Sequence, residues 1–456
     1  MNRKKRFKKE AQRVSADLRH RRIIQFNMSK YESAVEAGKE RYSDLSRAKY
    51  CAAEVKNEVL GELPYLLETF ERNAQKNGAE VYWAATGDQL IEHLVDVLHG
   101  EQAKMLVKSK SMVTEEIDLN AALEKEGIES VETDLGEFIV QVAGEKPYHI
   151  VTPAMHKSKQ DIAELFNKHF DTDLDLSAEE MTGFVRKLLR KKFLNADVGI
   201  TGANFLCAAE GAVAVTENEG NAFLSGANPN LHIVIAGIEK VLPSISDLAL
   251  FWPLLAAHGT GQQQTVYSNL FFGPRKGNEK DGPKRMIIFL LDNGRSSVYA
   301  DKVLREALKC IRCGACLNAC PVYRNIGGYT YNTTYSGPIG SVLTPHFKDF
   351  GDFNHLSFAS SLCGKCNTVC PVNIPLTHLL LHNRQQAQKT ASLPESFINK
   401  LLYASLSNRQ LMNMKGGVVK NSVARLVSSQ VMKGEKRLPD FAPKTFNEQW
   451  KKHKKR

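Results

Sequence analysis

Seven of the nine cysteines in this 456-residue chain fall between residues 310 and 370, in two regularly spaced runs. The first, KCIRCGACLNACPV, sets Cys310, Cys313, Cys316 and Cys320 in a C-x2-C-x2-C-x3-C-P pattern closed by Pro321. The second, LCGKCNTVCPV, keeps the pattern from its second position onward as Cys363, Cys366, Cys370 and Pro371. Ser360 stands where its leading thiol would be. Three closely spaced thiolates can wrap three corners of a cubane iron–sulfur cluster, while the cysteine after x3 reaches the other cluster. Zinc sites pair two C-x2-C knuckles, or one knuckle with histidines, and fit this spacing less well.

The crossover rule assigns Cys310, Cys313, Cys316 and the distant Cys370 to one cluster. It assigns Cys363, Cys366 and the distant Cys320 to another, so two iron–sulfur clusters of the [4Fe–4S] type are expected. One corner of the second lacks a cysteine from the pattern. Several outcomes are open there: ligation by Ser360 or another oxygen or nitrogen donor, a non-local thiol such as Cys207 or Cys51, or a position left to water or substrate. A [3Fe–4S] cluster, with no fourth iron to hold, is a further outcome. Losing a thiolate also changes the cluster charge and with it the reduction potential. Cys51 and Cys207 otherwise read as small buried hydrophobes. Two clusters in one module make a path for single electrons. No flavin or other two-electron acceptor is legible, so the chain is expected to work with partners.

The elements around the cysteines must bring the two runs together. Pro321 and Pro371 stop the local helix and remove an N–H near the sulfurs. The 42 residues between Cys320 and Cys363 are more than a compact bacterial ferredoxin would use. They imply a helical two-cluster module over 300–390, each run at a helix end, with a Tyr-, Gly- and Asn-rich loop at 323–340. Residues 1–59 read as a helical arm and 391–456 as a helical, basic extension. The Leu stripe of IPLTHLLLHNRQQAQKT reads as core.

Between them, 60–295 alternates apolar strand-like runs with helical stretches, the pattern of an α/β domain on a largely parallel sheet. Strands are expected at 80–85, 103–109, 137–143, 148–153, 196–201, 211–216, 231–237 and 285–291. Helices are expected near 88–99, 156–169 and 177–192. Within this domain TGAN (201–204) follows a strand and is expected to open a helix whose N–H groups could cradle an anion. Glu210, Glu217, Glu219 and Asn221 surround the next strand's turn; they are candidate site residues, with the plain alternative that they only make turns. No catalytic residue is singled out. Neither G-x-G-x-x-G nor a Walker A sequence is present, which removes a classical dinucleotide or ATP site.

Composition restricts the class further. Hydrophobic residues make up 43% and charged residues 24%, as in ordinary globular proteins. The basic N-terminus has no apolar run behind it, so no signal peptide is read. The longest apolar stretch, LALFWPLLAA, is half of the ~20 residues a spanning helix needs and contains Pro253. A soluble cytoplasmic protein is expected, at most peripheral to a membrane through its partners. Of the +11 net charge, the first 22 residues supply +8 and the last six +5, which leaves the body at about −2. The basicity is thus terminal, in ends expected to be solvated and partly disordered, and a nucleic-acid groove is excluded.

The residues together carry a resemblance. CIRCGACLNACPVYRNIGGYTY, YSGPIGSVLTP and SSLCGKCNTVCPVNIPL, with VGITGANFLCAAEGAVAVTENEGN and LHIVIAGIEKVLPS before them, resemble the bacterial lactate-utilisation protein B family over nearly the whole chain. That resemblance implies an LUD-type α/β domain similar to the sugar-phosphate isomerase and CoA-transferase fold (NagB/RpiA/CoA-transferase-like), followed by an α-helical ferredoxin-type two-cluster domain. It implies service in the oxidation of L-lactate to pyruvate, allowing growth on lactate, beside a Cys-rich A-type subunit and a C-type subunit carrying the α/β domain alone. The electron acceptor is not implied. The seven-cysteine pattern is the family's own, so Ser360 is no departure from it. Two other readings stand beside this one. In the first the α/β domain itself binds and oxidises the hydroxy acid; in the second the chain is an iron–sulfur redox sensor.

Overall fold

Runs of Ile, Val and Leu build the sheets of the computed structural model, which describes residues 2–389 and 440–454 with scattered positions between 400 and 425. In chain order the strands are β1 (Glu80–Ala84), β2 (Met105–Lys108), β3 (Glu129–Glu132), β4 (Val198–Gly202) and β5 (Phe205–Cys207). They continue as β6 (Ala212–Glu217), β7 (Leu231–Gly237), β8 (Val241–Leu242), β9 (Tyr267–Phe271) and β10 (Arg285–Leu291). Six form one sheet in the order β1-β10-β7-β4-β2-β3, every neighbour parallel. In its centre Ile200, Ile233 and Ile287 lie in register with no exposed surface. Every residue of β7 is buried, as expected for a strand covered on both faces.

On one face the helices Gly87–Gly100 and Leu119–Lys125 lay Leu90, Leu94, Leu98 and Leu123 over the central isoleucines. On the other, Leu66 and Phe70 of helix Leu63–Lys76 join the core that also holds Val234, Ile288 and the helix Leu248–Gly259. Each such side chain contributes roughly 1.5–3 kcal/mol by leaving water. A smaller sheet, ordered β8-β5-β6-β9, lies beside this core, with β6 antiparallel to both β5 and β9.

Several sequence expectations are corrected here. Residues 137–143 are not a strand but most of the helix Leu135–Val142. Leu135, Phe138, Ile139 and Val142 share one helical face, and Asp134 caps the helix by accepting from the Glu137 amide at 3.1 Å. Residues 148–153 turn back on themselves: the Tyr148 amide donates to the Pro153 carbonyl, and His149 Nδ1 accepts from the Val151 and Thr152 amides. The strand at 211–216 exists but belongs to the small antiparallel sheet. TGAN opens no helix. β4 ends at Gly202, β5 begins at Phe205, and Asn204 Oδ1 accepts from the Thr216 amide at 2.9 Å. The charged β3 escaped notice because its Glu132 is balanced only by Lys108, an ion pair at 2.7 Å between buried partners that are distant in sequence.

The basic N-terminus is ordered, contrary to expectation. It forms the helices Arg3–Ala16 and Leu18–Glu40. Phe7 packs edge-on against Tyr331, while Arg19 pairs with Asp161 and Glu32 with Arg324. Tertiary partners, absent from any local window, make this segment part of the first compact unit, Met1–Gln385. The remainder forms a second unit, in which Phe446–Lys454 is a helix with no buried residue.

Arg295 is fully buried just beyond β10 and ties the sheet to the cysteine module. Its Nε donates to Glu239 Oε2 at 2.6 Å, and Nη1 and Nη2 grip both oxygens of Glu116 at 2.9 and 2.8 Å. From the cysteine module, Arg312 donates to Glu239 at 3.1 Å and the Tyr335 hydroxyl to Glu116 at 2.7 Å. Burial pushes Glu239 upward, but Arg295 and Arg312 outweigh it and hold its pKa at about 2. Arg295→Met would strand the buried Glu116 carboxylate and leave Glu239 with Arg312 as its cationic partner, and a loss of ~3–5 kcal/mol is expected in chemical denaturation of the full chain. Because the folded pKa of Glu239 lies below its ordinary 4.5, the pairing stabilises fully above that pH and is lost as the pH falls toward 2. Acid titration of native-state melting should therefore show a steep decline in that window, blunted in Glu239→Gln.

Candidate metal centre

The short 3-10 turn Leu304–Lys309 delivers Cys310, and two left-handed residues then wind the chain around a point: Arg312 at φ 61° and Gly314 at φ 77°. A five-residue helix, Ala315–Ala319, carries Cys316 and ends at Cys320. Cys310, Cys313 and Cys316 thereby line one small cavity, and Cys370 of the second run completes it. Its remaining walls are largely apolar, with Ile150, Ile339, Val372 and Ile374 among them. Two backbone amides point at its sulfurs, Arg312 N to Cys310 Sγ and Ile374 N to Cys370 Sγ, each at 3.4 Å. Burial pushes the Cys313 and Cys316 thiols far up, and the neighbouring thiols of the same set push them further. Cys370 is likewise raised, to about 11, chiefly by burial.

The second set is crossed with the first. Burial and then Cys363 raise Cys320, while burial, Cys320 and Cys363 bring Cys366 to about 11. Cys363 itself is exposed, and the Lys365 amide and Ser361 hydroxyl lower its pKa. The structure thus places Cys310, Cys313, Cys316 and Cys370 around one cavity and Cys320 near Cys363 and Cys366. Cys207 lies in β5 with no exposed surface, and Cys51 is exposed on the helix Leu45–Gly61, so the expectation that Cys51 is buried is corrected. Buried in an apolar cavity beside one another, Cys313, Cys316 and Cys370 are poorly arranged for ionisation on their own. A multiply charged iron centre would reverse that balance, so the donor set fits an iron–sulfur cluster.

Against the first set lies a second, larger cavity of about 400 Å³. It opens at the carboxyl ends of β2, β4 and β6, the usual place for ligands in parallel α/β sheets. Lys110, Asn204 and Lys240 come from the α/β part, and Arg312, Cys313 and Tyr335 from the cysteine module. Lys240 is buried and makes no ion pair or side-chain hydrogen bond among the described residues; burial lowers its ammonium to about 8 despite Glu239 beside it. Arg312 Nη1 is likewise buried without a partner. Both cations stand beside Cys310, where they would offset the negative charge of a thiolate-bound cluster.

Of the predicted polar residues, Glu217, Glu219 and Asn221 line this cavity and Glu210 does not. Glu217 is occupied structurally, accepting from the Ala222 and Phe223 amides at 2.6 and 2.7 Å. Glu210 accepts from the Ile245 amide at 3.0 Å. Sequence reading missed Lys240, Arg312 and Tyr335. Arg312 could have been noticed as the one charged residue inside the first thiol turn, and Lys240 as a lone cation in the run LHIVIAGIEKVL.

Residues 67–291 match the LUD domain family and residues 306–374 the 4Fe-4S dicluster domain family. Fold and site together define an LUD-domain protein with an iron–sulfur dicluster module. "Lactate utilization protein B" of Bacillus subtilis (strain 168) is 41% identical over 388 residues, covering 84% of this chain and 80% of that protein. Its namesakes in Bacillus thuringiensis (strain Al Hakam) and Bacillus cereus (strain AH187) are 39% identical over 415 residues, covering 88% of this chain and 87% of theirs. The chain belongs to the lactate utilization protein B family, as the sequence resemblance implied. Among solved structures, a DUF162 family protein from Deinococcus radiodurans is similar over 50% of this chain and 98% of its own, at 11% identity and a TM-score of 0.29; so low a score adds nothing to the fold assignment. No described helix is long and apolar enough to cross a membrane.

The two thiol turns differ in how tightly they are packed, and this gives a structural test. A Cβ at Gly314 would come within 2.9 Å of Val151 Cγ2, whereas at Gly364, also left-handed at φ 81°, nothing lies within 4 Å. Gly364→Ala should cost only the backbone term of ~1–2 kcal/mol. Gly314→Ala should cost distinctly more, because the clash adds to it. Parallel thermal melts of the two variants measure the difference.

Proposed function

We propose that this chain is the iron–sulfur electron-transfer component of a system that oxidises L-lactate to pyruvate. It works in the cytoplasm with A-type and C-type partners and passes electrons to an acceptor outside the chain. Cys310, Cys313, Cys316 and Cys370 hold one [4Fe–4S] cluster, and Cys320, Cys363 and Cys366 hold the second. The observation supporting this reading is that Cys310, Cys313, Cys316 and Cys370 surround one cavity while Cys320 lies near Cys363 and Cys366, a pattern that would suit two one-electron centres in one module. The curated relatives' name supplies the lactate.

The asymmetry of the two sets supports a direction. The first adjoins the cavity at the strand ends, while the second has the exposed Cys363 at the surface. An electron entering from the cavity side would leave where a partner can dock. When bound, the clusters supply one-electron transfer; this chain's residues position them, exclude water from the inner one and set the surrounding charge.

The cavity itself favours a second reading, that the hydroxy acid binds in it, its carboxylate drawn by Lys240 and Arg312. Calorimetric titration of L-lactate into the anaerobic holoprotein decides this; heat that disappears in Lys240→Met supports it, and no heat removes it.

In cells lacking the native gene, Cys310→Ser or Cys363→Ser should abolish pyruvate formation from lactate while the α/β domain stays folded by circular dichroism. Normal lactate oxidation by either variant overturns the proposal. Lys240→Met should also lower the potential of the inner cluster by on the order of 100 mV, as loss of one nearby positive charge at an effective dielectric of ~20 would. Redox titration of that cluster measures it.

A further inference from the structure

The two cysteine runs repeat with an offset of fifty residues, and the repeat is conformational as well as sequential. Arg312 and Leu362 are both left-handed, at φ 61° and 56°, as are Gly314 and Gly364, at φ 77° and 81°. Each glycine opens a five-residue helix, Ala315–Ala319 or Lys365–Val369. Each helix ends in a cysteine of nearly the same backbone, Cys320 at φ −79°, ψ 119° and Cys370 at φ −68°, ψ 121°. At the head of the runs, the Arg312 amide donates to Cys310 Sγ at 3.4 Å and the Leu362 amide donates to Ser360 Oγ at 3.1 Å. The shorter distance is what an oxygen in place of a sulfur gives. Ser360 thus holds its side-chain heteroatom in the position and hydrogen-bonding state of the first ligand of a thiol turn.

Other features keep it there. A leucine in the left-handed region costs about 1–2 kcal/mol, yet Leu362 keeps the ligand-turn conformation. Arg384 fixes the segment from behind, donating to the Ser357 and Ser360 carbonyls at 2.9 Å each and lying over the Phe358 ring. The competing donors are placed elsewhere. Cys207 is buried in β5, far up in pKa through burial and the nearby Glu210. Lys49 reaches the second run, donating to the Thr368 carbonyl at 2.7 Å. Cys51 lies two residues on, about 200° round the same helix, and faces away. The Ser361 hydroxyl lies beside the Cys363 thiol and not at the head of the turn.

From this equivalence we infer that Ser360 Oγ is the fourth protein ligand of the second cluster, completing a [4Fe–4S] centre with three thiolates and one alkoxide. On binding, an Fe–O bond forms, the O–H bond breaks and its proton passes to water at this partly exposed position; no oxidation state changes. The inference rests on the proposed assignment of Cys320, Cys363 and Cys366 to that cluster.

The test is iron analysis with EPR and Mössbauer spectroscopy on the full-length chain purified under strict oxygen exclusion. Wild-type protein should hold about eight irons, two four-iron clusters' worth, with one iron of the second cluster spectroscopically distinct. Ser360→Ala should lose that iron, leaving about seven and the near-isotropic oxidised-state EPR signal of a three-iron cluster. Ser360→Cys should restore about eight with altered spectra for the second cluster alone. The inference is overturned if Ser360→Ala retains every iron with unchanged spectra, if Ser361→Ala or Cys51→Ala loses the iron instead, or if wild-type protein already holds a three-iron cluster. In that last case the seven-cysteine assignment survives. A wild-type chain that binds only one cluster, or a Cys363→Ser variant that keeps both, removes the assignment itself and this inference with it.

Discussion

The buried chain of charge Glu116–Arg295–Glu239–Arg312 is the contact on which the architecture turns. Its members come from the turns after β2, β7 and β10 and from the first cysteine run, which are far apart in sequence. Buried ion pairs seldom stabilise a fold more than apolar residues of the same shape would, but they are intolerant of a missing partner. That intolerance gives specificity. The cysteine module can dock in only the orientation that brings Arg312 to Glu239 and Tyr335 to Glu116, and this orientation sets Cys313 into the wall of the strand-end cavity.

The same arrangement controls charge near the sulfurs. A cluster with four thiolates carries net negative charge, which an apolar cavity lined by Ile150, Ile339 and Val372 would penalise. Lys240 and Arg312 Nη1, neither of which has an ion-pair or hydrogen-bond partner among the described residues, stand ready to offset it. The α/β domain therefore does more than support the cysteine module. It provides one of the two cations that would offset the charge of a cluster held by the first set.

What was legible in the sequence follows from how local each signal is. The cysteine runs were readable because ligand spacing is a property of eleven consecutive residues. The parallel strands β4, β7 and β10 were readable because burial on both faces writes an unbroken apolar run such as LHIVIAG. The 137–143 segment was misread because EFIVQVA is equally apolar as a strand or as a helix flank, and only the Asp134 cap and the preceding Leu135 settle it. The order in the basic N-terminal helices was illegible because it depends on Tyr331, Asp161 and Arg324, each more than a hundred residues away. Tyr335 was missed for the same reason, since its contact with Glu116 exists only where the two parts meet.

The two cysteine sets differ in exposure, so iron–sulfur centres held by them, as proposed, would be tuned differently. The inner set is shielded by apolar walls and flanked by fixed cations, so its properties are set by the fold and should change little with solution conditions. The outer set includes the exposed Cys363, whose surroundings are solvent, the Lys365 amide and the Ser361 hydroxyl. A site exposed in this way is screened by salt and reorganised by whatever docks over it, because exposed charges interact weakly across water and strongly once water is excluded. A partner covering Cys363 would thus alter the outer centre while leaving the inner one as it was. Contact at the surface would then adjust the energy step between the two centres without any movement of the domains.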